Sequence, residues 1–410
     1  MTSTARPSAD DAAGALKIFL VATEVSGDRL GAALMRALRQ RSDRPIKFSG
    51  VGGHEMADAG LQSLYPIDDF SIIGFAAIPR RLPKLLRYKR QTVQEALKQH
   101  PHALVAIDSP SYTLPVARSV RAADPTIPII DYVSPTVWAW RPWRARKMRR
   151  FVDHILALLP FEPEVHRRLG GPPCTYVGHP LTEEAALLRP NAEELRRRQA
   201  DPPVILALPG SRGSEIEHHA RIFGDTLAIL RDRVGPIELV VPTVPQQLAR
   251  VTAATAAWPV RPRVVVEQAE KRAAVRIARA ALAKSGTVTL ELAVAGVPMV
   301  AAYKVSGFEA MIVRRLIQVP SVILANLVIG ENVVPELLQD QCTAEGLAAR
   351  LVPLIADTPE RRRQLDAFAR LDAIMEIGKR SPATRAADIV LALLRGQATA
   401  AIRDAAATAK

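Results

Sequence analysis

One pattern constrains this chain more than any other: a short apolar run, a corner of small and polar residues, then an amphipathic stretch, repeated along most of its 410 residues. The first instance is Lys17–Ala22, then the corner Thr23–Asp28, then a helix-like stretch from Arg29 to Gln40. Further strand candidates are Ile46–Val51, Ala103–Ile107, Ile127–Val133, His154–Leu159 and Cys174–Val177. Strands that alternate with helices predict parallel sheets covered on both faces, an α/β doubly wound class. No repeat of fixed 20–50-residue period accompanies the alternation.

The stretch Glu183–Pro203 is charged, contains proline and is poor in β-formers, so it reads as a linker. The alternation then restarts with Val204–Leu208, Glu238–Val241, Arg263–Glu267, Ala280–Ala283 and Pro298–Tyr303. The predicted division is a tail over 1–16, one Rossmann-like domain over 17–190 and a second over 203–355. Helices over 356–395 and a flexible tail over 396–410 complete it. Two such halves are expected to turn the carboxyl ends of their strands toward a common cleft. Ligands of such sheets sit beyond those ends, where loops meet helix N-termini.

Composition narrows the class. With 48% hydrophobic and 23% charged residues, the chain has the balance of a soluble globular protein. Its two cysteines, Cys174 and Cys342, match no metal or redox spacing and read as core residues of a reduced compartment. The apolar stretch Ile18–Ala22 is too short for a signal peptide, and the longest later run is broken by Glu291, so no spanning helix is expected. The net charge of +14 favours polyanionic partners: nucleic acid, anionic lipid or phosphorylated substrate. Aromatic content of 5% and the lack of any nucleic-acid-binding signature argue against nucleic acid.

Four corners carry residues with chemistry to offer. Leu208-Pro209-Gly210-Ser211-Arg212-Gly213 follows a strand and opens a helix; glycines admit a close ligand, and Arg212 adds a forked cation suited to a diphosphate. The alternative is an ordinary strand–helix turn with an exposed arginine. Ser285-Gly286-Thr287 offers a second phosphate corner, with Glu291 one turn on to accept from ribose hydroxyls, against the alternative of a plain N-cap and a surface acid. Ile107-Asp108-Ser109-Pro110 ends a strand with an acid placed to deprotonate a hydroxyl, or to cap the next helix through an Asx-turn. Glu24 and Asp28, flanking Ser26-Gly27, form a second acidic candidate with the same alternative. Finally, Trp138, Trp140 and Trp143 lie among Arg141, Arg144, Arg146, Lys147, Arg149 and Arg150, a mix suited to a phosphate, a sugar face or a membrane, or to a basic helix anchored by tryptophans.

The order of these blocks resembles the lipid-A-disaccharide synthase family. The blocks are Ser26-Gly27-Asp28, Ile107–Pro110, Tyr132–Trp140, Leu158–Glu162, Val177–Pro180, Leu208–Arg212, Ser285–Thr287 with Glu291, and Val334–Gln339. The Ser134-Pro135-Thr136-Val137-Trp138-Ala139-Trp140 block and the Pro-Gly-Ser-Arg corner are specific to that family rather than to the fold. The resemblance runs from Lys17 to about residue 390. It implies a GT-B fold of two Rossmann-like domains, and an inverting transfer from UDP-2,3-diacylglucosamine to 2,3-diacylglucosamine 1-phosphate (lipid X). It also implies attachment to the inner face of a Gram-negative inner membrane, and no cofactor or metal.

On that basis Asp108 is the expected base with Glu24 in reserve, and UDP is expected at Gly210, Ser211, Arg212, Ser285, Gly286, Thr287, Glu291 and Asn326. The acceptor and the membrane are expected at Ser26, Trp138, Trp140, Arg141, Phe75, Arg80, Arg81, Lys84 and Arg87. The sequence departs from the family pattern at Thr23, at Ser111, where a second acid is frequent, and at Ala325. Rival readings are a UDP-sugar 2-epimerase, an N-acetylglucosaminyltransferase, or a non-catalytic lipid- or nucleotide-binding relative. Self-association into a homo-oligomer stays open.

Overall fold

The computed structural model describes residues 14–70, 78–304 and 321–396, apart from the side chains of 78–81. Two six-stranded, wholly parallel sheets organise them. The first holds β1 (Leu16–Ala22), β2 (Ile46–Val51), β3 (Ala103–Ile107), β4 (Ile129–Tyr132), β5 (His154–Ala157) and β6 (Cys174–Tyr176), in the order β2-β1-β3-β4-β5-β6. The second holds β7 (Val204–Leu208), β8 (Glu238–Pro242), β9 (Arg263–Val265), β10 (Ala280–Lys284), β11 (Met299–Tyr303) and β12 (Glu336–Leu338), in the order β12-β11-β10-β7-β8-β9. This is the expected architecture of two Rossmann-like halves, the GT-B fold.

The central strands show why the chain folds so. β1 reads LKIFLVA and β3 ALVAI, with Phe19, Leu20, Val105 and Ile107 wholly buried. Continuous apolar runs mark strands covered on both faces, and each such side chain contributes about 1.5–3 kcal/mol on burial. One face of the first sheet is covered by the helix Val25–Arg41 through Leu30, Leu34 and Leu38.

Chain reversal in strand order fixes where the corners lie. In the first sheet the order turns between β1 and β3, where Ala22 pairs beside Ile107. In the second it turns between β7 and β10, where Leu208 pairs beside Ala283. Each turning point leaves a crevice between two loops that run in opposite directions over the sheet. The four loops there begin at Thr23, Asp108, Pro209 and Ser285.

Three sequence expectations are corrected. The stretch 183–203 is not an open linker; it folds mostly as helices Leu181–Leu188 and Ala192–Gln199. Asn191 and Glu194 close a reciprocal capping box, and buried Arg198 donates to the carbonyls of Val275, Arg276, Ala295 and Gly296. The domain boundaries shift accordingly: one compact unit runs to Pro180 and resumes at Arg380, and the other is Leu181–Lys379. The helices 356–395 are thus shared, since Pro382–Leu394 returns to the first unit and packs Ala386, Ala387, Val390 and Leu391 into its core.

Candidate functional site

In the first unit, Asp108 stands just past the end of β3 in a left-handed backbone conformation (φ 54°), followed by Ser109 in another (φ 46°). Such a conformation costs an L-residue about 1–2 kcal/mol, least for Asp or Asn, whose side chain can bond locally. Here Oδ1 of Asp108 accepts the Ser109 N–H at 2.8 Å, and Oδ2 accepts the Ser26 hydroxyl at 2.8 Å. Thr113 Oγ1 donates to the Asp108 carbonyl at 2.7 Å. The carboxylate is therefore oriented from both sides while half-buried. Gly27 lets the β1 corner close on it, because a Cβ there would lie 3.3 Å from the Ile107 carbonyl and 3.5 Å from Asp108 Cβ.

The neighbouring acids differ. Glu24 is exposed at the N-cap of Val25–Arg41 and makes no side-chain capping bond. Asp28 is buried and spent: it accepts the backbone N–H groups of Gly53, Glu55 and Met56 at 2.7–3.1 Å. It braces the turn after β2 and is no candidate base.

The tryptophan loop follows β4, next to Asp108, whose N–H donates to the Tyr132 carbonyl. Val133 opens it at φ 89°, a strained value for a β-branched residue. Buried Glu162 holds the loop, accepting the Leu159 N–H at 2.9 Å and Trp138 Nε1–H at 3.2 Å. Burial pushes the Glu162 carboxyl up to about 7, against those hydrogen bonds. Burial likewise raises Asp131 well above the usual range, helped by the nearby Asp108 and Glu162 carboxylates. Trp138 thus anchors the loop inward, edge-on to Phe161 at 5.4 Å. Trp140 carries the Arg141 guanidinium over its ring at 4.2 Å, and Trp143 is 54% exposed.

Of the expected membrane segment, Phe75 lies outside the described residues, as do the side chains of Arg80 and Arg81. Lys84 and Arg87 are exposed on the helix Ile78–Gln99, beside exposed Leu82 and Leu86. Lys84 pairs with Asp69 at 2.6 Å, and Tyr88 donates to the same carboxylate. Tyr65, Thr92 and Tyr112 share hydroxyl bonds of 2.5–3.1 Å, tying this helix to the loop after β3.

In the second unit, Gly210 (φ 132°) turns the chain so that the Ser211 and Arg212 N–H groups face inward at the start of the helix Gly213–Val234. Both donate to Oε2 of Glu215, at 3.0 and 3.3 Å. Oε1 of Glu215 takes Arg212 Nη1 at 3.2 Å and Lys284 Nζ at 2.9 Å. Burial pushes Glu215 up, but Lys284 and the two backbone N–H groups outweigh it and hold the carboxyl low. Lys284 closes β10, and Gly286 and exposed Thr287 follow.

Two expected UDP contacts are otherwise employed. Ser285 donates its hydroxyl to the Val322 carbonyl and its N–H to Ala302. Asn326 is buried, with Nδ2 donating to Val334 and Glu336 and Oδ1 accepting from Val333 and Val334, so its amide is fully occupied within the protein. It braces the approach to β12. Glu291 is half-buried, its carboxyl raised by burial and then by Glu184. Lys284, Glu215 and Glu162 carry contacts that sequence reasoning assigned to no residue; for Glu215 the signal was available, since an acid at the third helical position is half of a capping box. Among the described residues no three His, Cys, Asp or Glu gather as a metal site.

A family model described as lipid-A-disaccharide synthetase matches residues 18–390. The chain belongs to that family. It is 62% identical over 384 residues to the lipid-A-disaccharide synthase of Rhodopseudomonas palustris (strain BisB18), covering 94% of this chain and 97% of that one. The corresponding enzyme of Nitrobacter hamburgensis is 60% identical over 375 residues, covering 92% and 95%. Solved structures share the fold at low identity: MurG of Acinetobacter baumannii has a TM-score of 0.55 at 16% identity, over 92% of this chain and 99% of that one. A co-structure of Staphylococcus aureus MnaA with UDP has a TM-score of 0.60 at 12% identity, over 93% and 97%. The chain is thus a hexosyltransferase of lipid A disaccharide synthesis, and the epimerase and non-catalytic readings are not favoured. None of its described helices is long and apolar enough to cross a membrane.

Proposed function

We propose that the enzyme joins UDP-2,3-diacylglucosamine to lipid X through a β-1,6 bond in a single in-line displacement. The observation that carries the assignment of roles is the Asp108 carboxylate, oriented by Ser26 and the Ser109 N–H at the first sheet's turning point. Asp108 takes the proton of the acceptor's 6-hydroxyl, whose oxygen forms the new bond to the sugar's anomeric carbon. The bond from that carbon to the diphosphate breaks, and UDP leaves with the electron pair. Arg212 and the Ser211 and Arg212 N–H groups are suited to the developing charge, which fixed dipoles and cations stabilise. Gly286 and Thr287 sit beside them, whereas Ser285, with both donors used internally, supports the corner from behind. Glu291 is assigned to the ribose. No cofactor takes part in this reading, and no metal is assigned.

The acceptor's sugar and phosphate are assigned to Trp140 and Arg141, and membrane docking to the segment from Phe75 through Arg80, Arg81, Lys84 and Arg87. Docking on the inner face of the inner membrane suits two substrates that carry acyl chains. Incubating the protein with UDP-2,3-diacylglucosamine and lipid X tests the reading. Disaccharide 1-phosphate and UDP in equal amounts are expected; UDP release without disaccharide would overturn it.

A further inference from the structure

We infer that Lys284 is a second cation for the departing diphosphate, and that Glu215 is an internal anion which holds the diphosphate cradle closed until the nucleotide displaces it. The inference rests on the assignment of UDP to the corner after β7. Four donors from two different strand ends converge on one carboxylate: the Ser211 and Arg212 N–H groups, Arg212 Nη1 and Lys284 Nζ. That donor set, two backbone N–H groups with a guanidinium and an ammonium, is what a diphosphate's non-bridging oxygens require. A carboxylate and a diphosphate cannot share it, because two anions within about 4 Å of one another repel, strongly so where water is scarce.

Lys284 is placed for the exchange. It ends β10, beside β7 at the second sheet's turning point, and its side chain is 17% exposed against 15% for Glu215. Its ammonium lies 3.9 Å from where a Cβ on Gly286 would stand, so it overhangs the second corner as well as the first. Glu215 sits in the first turn of its helix on a side chain with three rotatable bonds, so it can swing aside without moving the backbone. Gly210 leaves the room it occupies: a Cβ there would come within 2.5 Å of Glu215 Cβ. Swung out, Glu215 frees Ser211, Arg212 and Lys284 together.

Calorimetric titration of UDP into the full-length protein tests this with Lys284→Met, Lys284→Arg, Glu215→Gln and the Lys284→Met/Glu215→Gln pair. Lys284→Met is expected to weaken UDP binding about tenfold, the size of one charge-assisted contact. Lys284→Arg should restore most of that loss, which separates a ligand role from a folding defect. Glu215→Gln should tighten UDP several-fold, and Lys284→Met should cost more in that background, where the lysine has no competing anion. Lys284→Met within twofold of wild type in both backgrounds would overturn the inference, as would a Glu215→Gln protein that binds UDP less tightly. Failure of the underlying assignment looks different: an Arg212→Ala protein would then bind UDP as wild type does, whatever Lys284 contributes.

Discussion

Ser26 and Asp108, 82 residues apart in sequence, meet at 2.8 Å because β1 and β3 are neighbours at the point where the first sheet's strand order reverses. A serine that donates to one carboxylate oxygen, while the Ser109 N–H holds the other, fixes the orientation of the group toward substrate. Replacing Asp108 by Ala is therefore expected to lower disaccharide formation by about 10²–10⁴-fold while UDP still binds. Ser26→Ala should cost less, roughly tenfold, mostly in kcat. Rates within threefold of wild type for Asp108→Ala, measured under saturating substrate, would move the base to Glu24.

The Arg212 side chain is 80% exposed and, among the described residues, is tethered through Glu215. An exposed ion pair of this kind adds little to folding. Its use is for a ligand. Arg212→Ala should leave the melting temperature within about 2 °C of wild type while weakening UDP by on the order of 1.5–3 kcal/mol and slowing transfer. A variant that melts far lower with UDP affinity intact would make the arginine structural.

The buried carboxyl of Glu162 gives stability a pH dependence of defined sign. Its folded value of about 7 lies above the ordinary 4.5. A raised carboxyl helps the folded state fully below the unfolded value, and that help is lost as pH rises through the folded one. The loss between about pH 5 and 8 is on the order of 3 kcal/mol at most. Glu162→Gln removes this contribution, so its melting temperature should gain on wild type steadily from pH 5 to 8. Parallel curves across that range would place the carboxyl in water rather than in the core. Asp131, raised by burial, contributes a loss of the same sign.

Strands proved legible where they are buried on both faces, because β3 and β7 are unbroken apolar runs and β1 and β10 are nearly so, each followed by a loop of small, polar or turn-forming residues. β12 escaped notice, since Glu336–Leu338 opens on an acid and buries only Leu337. The helices over 181–199 were hidden for a different reason. Charge and proline suggested a linker, whereas Asn191 is a capping residue and Arg198 satisfies four backbone carbonyls that only the fold brings together. Site residues behaved similarly. Asp108 could be placed from its strand end, but no local pattern separates Asn326 as a ligand contact from Asn326 as a brace. The distinction depends on Val333, Val334 and Glu336 folding back onto its amide. Nor does sequence foretell that Asp28 would be consumed by Gly53, Glu55 and Met56.

On the helix Ile78–Gln99, Leu82 and Leu86 stand one turn apart and are 49% and 50% exposed, with Lys84, Arg87 and Arg90 exposed around them. Leucines one turn apart share a helix face, and two of them left open to water beside cations suit the boundary between acyl chains and anionic headgroups. Lys84 is partly neutralised by Asp69, so its pull on a membrane is weaker than that of Arg87. Each unpaired cation near an anionic surface contributes about 1 kcal/mol, falling off within a Debye length. Changing Arg80, Arg81, Lys84 and Arg87 to Ser together should thus reduce co-sedimentation with anionic vesicles by at least tenfold at low salt. Neutral vesicles should show no such difference. Leu82→Ser with Leu86→Ser should weaken binding to both vesicle types, because its contribution is hydrophobic and unscreened. If the four-serine protein pellets with anionic vesicles as wild type does at physiological salt, the docking surface lies elsewhere, with the exposed Trp143 and the cations of 141–150 the next place to mutate.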